Sequence, residues 1–102
     1  MKKDLIMVIT DVFYITGRGI IVCGQIQNEK VEVGQKIVVT AEFLPEIQTE
    51  IKGIEAFRKT IKVANQNDYV GLLLDGLTKN QIKKKMKLYS VDYAIIGQTN
   101  PT

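Results

Sequence analysis

The chain has 102 residues, enough for one domain, and is 45% hydrophobic and 25% charged, a balance that excludes a disordered chain. Its net charge of +3 is too mild for a dedicated nucleic-acid polycation. With no histidine and one cysteine, Cys23, it has no histidine triad, no thiolate zinc cluster and no internal disulfide.

Leu5 to Ile15 is an apolar run rich in β-branched and aromatic residues, which predicts a long first strand. Thr16-Gly17-Arg18-Gly19 follows, and two glycines around one residue mark a tight turn with positive φ. Ile20 to Ile26 completes a hairpin, and Gln27-Asn28-Glu29-Lys30 is the next turn. Val31 to Gln35 leads into a strand over Lys36 to Thr40, and Pro45 belongs in a loop. Glu46 to Phe57 alternates around Ile47, Thr49, Ile51 and Gly53, then shifts phase at Ile54. Arg58 to Val63 reads as a strand, Asn65-Gln66-Asn67-Asp68 as a turn, and Val70 to Leu74 as a strongly apolar strand. Thr78 to Lys83 predicts one helical turn with Thr78 as its N-cap. Met86 to Ile96 supplies one or two last strands, and Gly97 to Thr102 a tail. Many short strands between turns suggest a sandwich or a small closed barrel, and a barrel removes exposed edges.

Catalytic machinery is not legible. Cys23 has no obvious base beside it in sequence, and its plain role is that of a small apolar filler. The carboxylates are scattered, and the phosphate-binding pattern GxxxxGK[ST] is absent. No apolar stretch approaches the roughly 20 residues of a membrane helix. Asp4 in the N-terminal flank is unlike a signal peptide, so a soluble, cytoplasmic protein is expected. The charge is uneven: Lys79, Lys83, Lys84, Lys85 and Lys87 cluster without an acid, whereas Glu29, Glu32, Glu42, Glu46, Glu50 and Glu55 occupy the middle. An anion-binding face is therefore expected near the C-terminal third.

The stretch Asp11-Val12-Phe13-Tyr14-Ile15-Thr16-Gly17-Arg18-Gly19-Ile20-Ile21-Val22-Cys23-Gly24-Gln25-Ile26 closely resembles the opening of the second domain of translational GTPases, the family of elongation factor Tu. The resemblance continues through Val31-Glu32-Val33-Gly34, Gly53 to Lys59 and Tyr69 to Leu77, covering roughly residues 5 to 90. It implies an all-β fold, a closed antiparallel barrel of six or seven strands, with 1–102 as a single domain and 91–102 as an extra strand and tail. In the family this domain lies between a GTP-binding domain and another barrel. Neither is contained in these residues, so a free-standing, non-catalytic module without nucleotide or other cofactor is expected.

In elongation factor Tu the domain holds the aminoacylated end of transfer RNA. The apolar walls around the terminal adenine correspond to Ile15, Gly17, Ile21 and Leu73. An arginine near the transfer-RNA 5′ end corresponds to Lys84, which keeps the charge without the bidentate fork. The glutamate that bonds the terminal ribose corresponds to Thr10, an asparagine near the amino acid to Tyr69, and a further arginine to Asp75, with reversed charge. The family also docks this domain on ribosomal RNA, for which Arg18 at the turn tip, between Gly17 and Gly19, is a phosphate contact. Alternation agrees in part with a surface site. Ile20, Val22 and Ile26 share a core face, as do Val70, Leu72 and Leu74, which turns Ile21 and Leu73 outward to line a shallow groove.

The candidate binding residues are thus Thr10, Asp11, Ile15, Gly17, Arg18, Gly19, Ile21, Leu73 and Lys84. The first expectation is an RNA- or ribosome-docking module with ribosomal or transfer RNA as partner. The alternative is a protein-interaction or assembly module that binds another protein or itself and has lost RNA binding. Neither reading involves a membrane.

Overall fold

The computed structural model describes residues 2–28 and 30–91, and their regular structure is entirely β-strand. Ten strands follow in order: β1 (Lys2–Val8), β2 (Asp11–Ile15), β3 (Gly19–Gln25), β4 (Lys30–Glu32), β5 (Lys36–Thr40), β6 (Ile47–Ala56), β7 (Lys59–Ile61), β8 (Val63–Asn65), β9 (Tyr69–Leu74) and β10 (Lys87–Val91). All pairings are antiparallel. Eight strands form one sheet in the order β1-β10-β5-β6-β9-β3-β2 with β7 beside β6, and β4 pairs with β8 separately. The expected strand, tail and extra segment beyond Val91 lie outside the described residues. Among the described residues no helix is long and apolar enough to cross a membrane.

The path through the large sheet runs over seven strands, and its pairings do not close it into a barrel; the described residues hold ten strands in all because two expected strands divide. Leu5 to Ile15 is two strands, not one, because the chain changes partner at Ile9 and Thr10. The Ile9 amide donates to the Met86 carbonyl at 2.9 Å, beside β10, and the Thr10 amide donates to the Cys23 carbonyl at 2.8 Å, beside β3. Arg58 to Val63 also divides. Arg58 sits in the turn, and the chain bends at Lys62, whose carbonyl accepts from the Val33 amide at 3.0 Å. β7 thereby stays with β6 while β8 reaches β4.

The phase change expected at Ile54 is found, as a bulge between Ile51 and Gly53 where β6 leaves β5 for β9. Thr49 and Ile51 face inward before it and Ile54 after it. The helical turn expected at Thr78 is absent. The Gln81 amide donates to the Thr78 carbonyl, but the Gln81 Oε1 accepts from the Thr78 amide at 2.8 Å, tying a single turn that does not continue. Ile82 and Met86 pin this loop to the core.

The core joins both halves of the sheet. Ile20, Val22 and Ile26 on or beside β3, and Val70, Leu72 and Leu74 on β9, are buried as alternation predicts, against Ile6, Ile37, Ile51 and Leu88. Each such side chain contributes about 1.5–3 kcal/mol on burial. Buried Thr49 donates to the Asp75 carbonyl at 2.6 Å, and the Ser90 hydroxyl accepts from the Asp4 amide at 3.1 Å. No buried side-chain polar atom among the described residues lacks a partner.

β1 also crosses close to β3. The Gln27 amide donates to the Ile6 carbonyl at 2.7 Å. Gly24 makes this possible: a Cβ there would lie 2.6 Å from both Met7 Cγ and the Val8 carbonyl oxygen.

Candidate functional site

The outward residues of β2, β3, β9 and β6 fall into two rungs across the sheet. Phe13, Ile21, Leu73 and Gly53 are successive cross-strand partners in one, and Asp11, Cys23, Gly71 and Glu55 in the other. β2 and β7 each pair with a single strand, so they form the rims of this face. Between them lies an open groove of about 590 Å³, lined by Phe13, Ile15, Ile21, Cys23, Glu55 to Thr60 and Tyr69 to Gly71.

The floor of the groove depends on a missing side chain at Gly71. A Cβ on Gly71 would meet Ile21 Cγ2 at 2.8 Å and Cys23 Sγ at 3.5 Å, so Ile21 leans into the space that glycine leaves. This corrects the expectation of an open, solvent-facing Ile21: it is only 7% exposed although it lies outside the inner core. Leu73, its partner in the same rung, is half-buried between Gly53 and Gly19.

The walls are aromatic. Among the lining residues Phe13, Tyr69 and, at 88%, Phe57 are exposed, while exposed Tyr14 lies outside the lining. The Arg58 guanidinium lies over the Phe57 ring at 5.7 Å, and the Lys79 ammonium over the Tyr14 ring at 5.8 Å. Phe57 and Arg58 form the β6–β7 turn, with Arg58 at φ 67, a left-handed conformation unusual for its type.

The other candidate residues surround the groove. Ile15 lines it beside the hairpin turn, where Gly17 and Gly19 have φ 81 and 127, as two glycines predict. Arg18 at the tip reaches across to Glu55 Oε2 at 3.2 Å, so one carboxylate already holds it. Lys84 lies 3.7 Å from Asp11 Oδ1, bringing the lysine-rich loop to the start of β2. Both pairs are exposed and contribute about 0–1 kcal/mol each. Thr10 shares a 2.6 Å hydrogen bond with the Tyr69 hydroxyl and donates to the Cys23 carbonyl at 3.0 Å. Thr10 and Tyr69, two positions singled out in the sequence, thus meet beside the groove. Asp75, a third such position, lies elsewhere, beside Lys36, Thr49 and Glu50.

Burial pushes the Cys23 thiol above its ordinary pKa, and the Asp11 and Glu55 carboxylates push it further. It is therefore protonated near neutral pH and a weak nucleophile. Among the described residues no three His, Cys, Asp or Glu side chains are placed to hold a metal ion.

Sequence reasoning missed Phe13, Glu55, Phe57, Arg58 and Gly71. Phe13 was within reach, since it shares the outward parity of Asp11 and Ile15. No protein-family model matches the chain.

Proposed function

We propose that this protein is a non-catalytic binding module, a free-standing relative of the second domain of translational GTPases, and that its groove docks RNA. The observation that carries this reading is the groove itself, an apolar floor of Ile15, Ile21 and Gly71 walled by exposed aromatics, with Arg58 and Lys59 on its rim. Exposed rings offer stacking surfaces to unpaired bases, and neighbouring cations offer contacts to phosphates. A closed barrel fits the same kinship. The Gln27–Ile6 backbone bond lies where β1 passes β3, and the Thr10–Cys23 bond follows it at the start of β2, which would bring the β1 end of the large sheet against its β3–β2 end. The lack of histidine and the raised Cys23 pKa favour binding over catalysis. A free thiol suits a reducing cytoplasm.

The test is binding to ribosomal subunits and to bulk transfer RNA at low and moderate salt. Affinity is expected to fall steeply with salt, and Arg58→Glu and Arg18→Glu are each expected to weaken it several-fold. Binding that ignores both salt and these substitutions, or no binding at low salt, would overturn the RNA reading.

One observation favours the alternative, a protein-interaction module. Arg18 and Lys84, the cations expected to meet phosphate, are paired with Glu55 and Asp11. A partner chain retained in a pull-down that RNA does not displace would establish that alternative.

A further inference from the structure

We infer that this chain associates head to tail with further copies of itself, the Phe43 loop of one copy seated in the groove of the next. The loop, residues 41–46, joins β5 to β6. Phe43 stands at its tip, 95% exposed, next to Leu44 at 56%. The Phe43 backbone has φ 66, in the left-handed region that a bulky side chain rarely adopts, and the Leu44 amide closes the turn on the Ala41 carbonyl at 3.2 Å. A ring held outward by a disfavoured backbone gains no burial within its own chain. Such outliers gather where a segment makes a contact elsewhere.

Charge identifies the occupant. Phe43 and Leu44 follow directly on Glu42, an apolar tip beside an acid. The groove is the complement, an apolar floor with Arg58 and Lys59 on its rim. Its own carboxylates are already held, Glu55 by Arg18 and Asp11 by Lys84. Among the described residues no carboxylate pairs with Arg58 or Lys59, so these two cations are available to an incoming acidic loop.

A copy cannot fill its own groove. The loop enters the first residue of β6, the groove lies at its last, and ten strand residues separate them by about 30 Å. The contact therefore joins two different surfaces. Joined head to tail rather than reciprocally, it is heterologous and continues past a dimer, whereas a reciprocal pair would stop at two copies. So small an interface is weak, with association expected at about 0.1–1 mM.

Sedimentation velocity on the nuclease-treated chain, over that range and at two salt concentrations, tests this. The mean mass is expected to rise past that of a dimer, less so at higher salt. Phe43→Asn, which suits a left-handed backbone, and the double variant Arg58→Glu with Lys59→Glu are each expected to shift association at least tenfold upward in concentration. Mixed together, the two variants keep one intact loop and one intact groove, and are expected to form a dimer that does not grow. A wild type that stays monomeric at 1 mM, a Phe43→Asn variant that associates like wild type, or a mixture that stays monomeric would each overturn the inference. Measured below the concentrations of self-association, where the loop does not compete for the groove, Phe43→Asn leaves RNA binding unchanged, so loss of self-association and loss of RNA docking are separate results.

Discussion

At the scale of single residues, glycines decide what this sheet can do. Gly24 and Gly71 both lie where another group occupies the place of a Cβ, one toward the inside and one toward the groove. At Gly71 the crowding atom is the methyl of a side chain. At Gly24 it includes the Val8 carbonyl oxygen, which cannot rotate away. Gly24→Ala is therefore expected to destabilise by about 3 kcal/mol, the upper end for overpacking, as read from the urea midpoint at unchanged slope. A change below about 0.5 kcal/mol would mean that β1 does not cross β3 as described. None of this was legible in the sequence, where Gly24 and Gly71 read as ordinary strand positions. The site was partly legible for the same reason that it was incomplete. Parity along single strands places Ile21 and Leu73 on the outer face, but Arg18 and Glu55 are 37 residues apart and meet only through the sheet.

At the scale of elements, the strands follow their side-chain pattern wherever one partner serves the whole strand. β5 has the predicted bounds, and β3 and β9 bury the predicted residues. The reading caught the change of partner in β6, where the alternation shifts phase, and missed those at Ile9 to Thr10 and at Lys62, where strand-forming residues continue on both sides. Ile9 is fully part of the core although it lies between β1 and β2. The helical turn at Thr78 failed differently: a good cap cannot extend a segment that Ile82 and Met86 hold against the core. The β6–β7 hairpin is the element with most at stake. Its turn places Arg58 at φ 67, where glycine would be unstrained. Relief of about 1–2 kcal/mol is partly offset by the lost Phe57 contact and by the greater freedom of glycine when unfolded. Arg58→Gly is expected to raise stability by about 0.5–1 kcal/mol while weakening RNA binding several-fold. Thermal unfolding and a binding titration on the same sample check both halves. Tighter binding would mean that Arg58 is strained for no functional reason.

At the scale of the whole molecule, what matters is whether the large sheet is open or closed. Its order begins at β1 and ends at β2, yet these are consecutive strands separated only by Ile9 and Thr10. A chain that leaves β10 and joins β3 within two residues brings the sheet's two ends together. Closure would remove the free edge of β1 and leave those of β2 and β7 flanking the groove. In an open sheet the same groove would have one floating wall, and ligand would have to order it on binding. Hydrogen exchange distinguishes the two. The Thr10 and Gln27 amides are the seam bonds, donating to Cys23 and Ile6. In a closed barrel they are expected to exchange as slowly as the Val22 and Leu72 amides at mid-sheet, opening only with global unfolding. Exchange at the rate of a frayed edge would mean that the seam opens locally. The groove's rim at β2 would then be mobile, and binding there would carry an ordering penalty that a rigid barrel avoids.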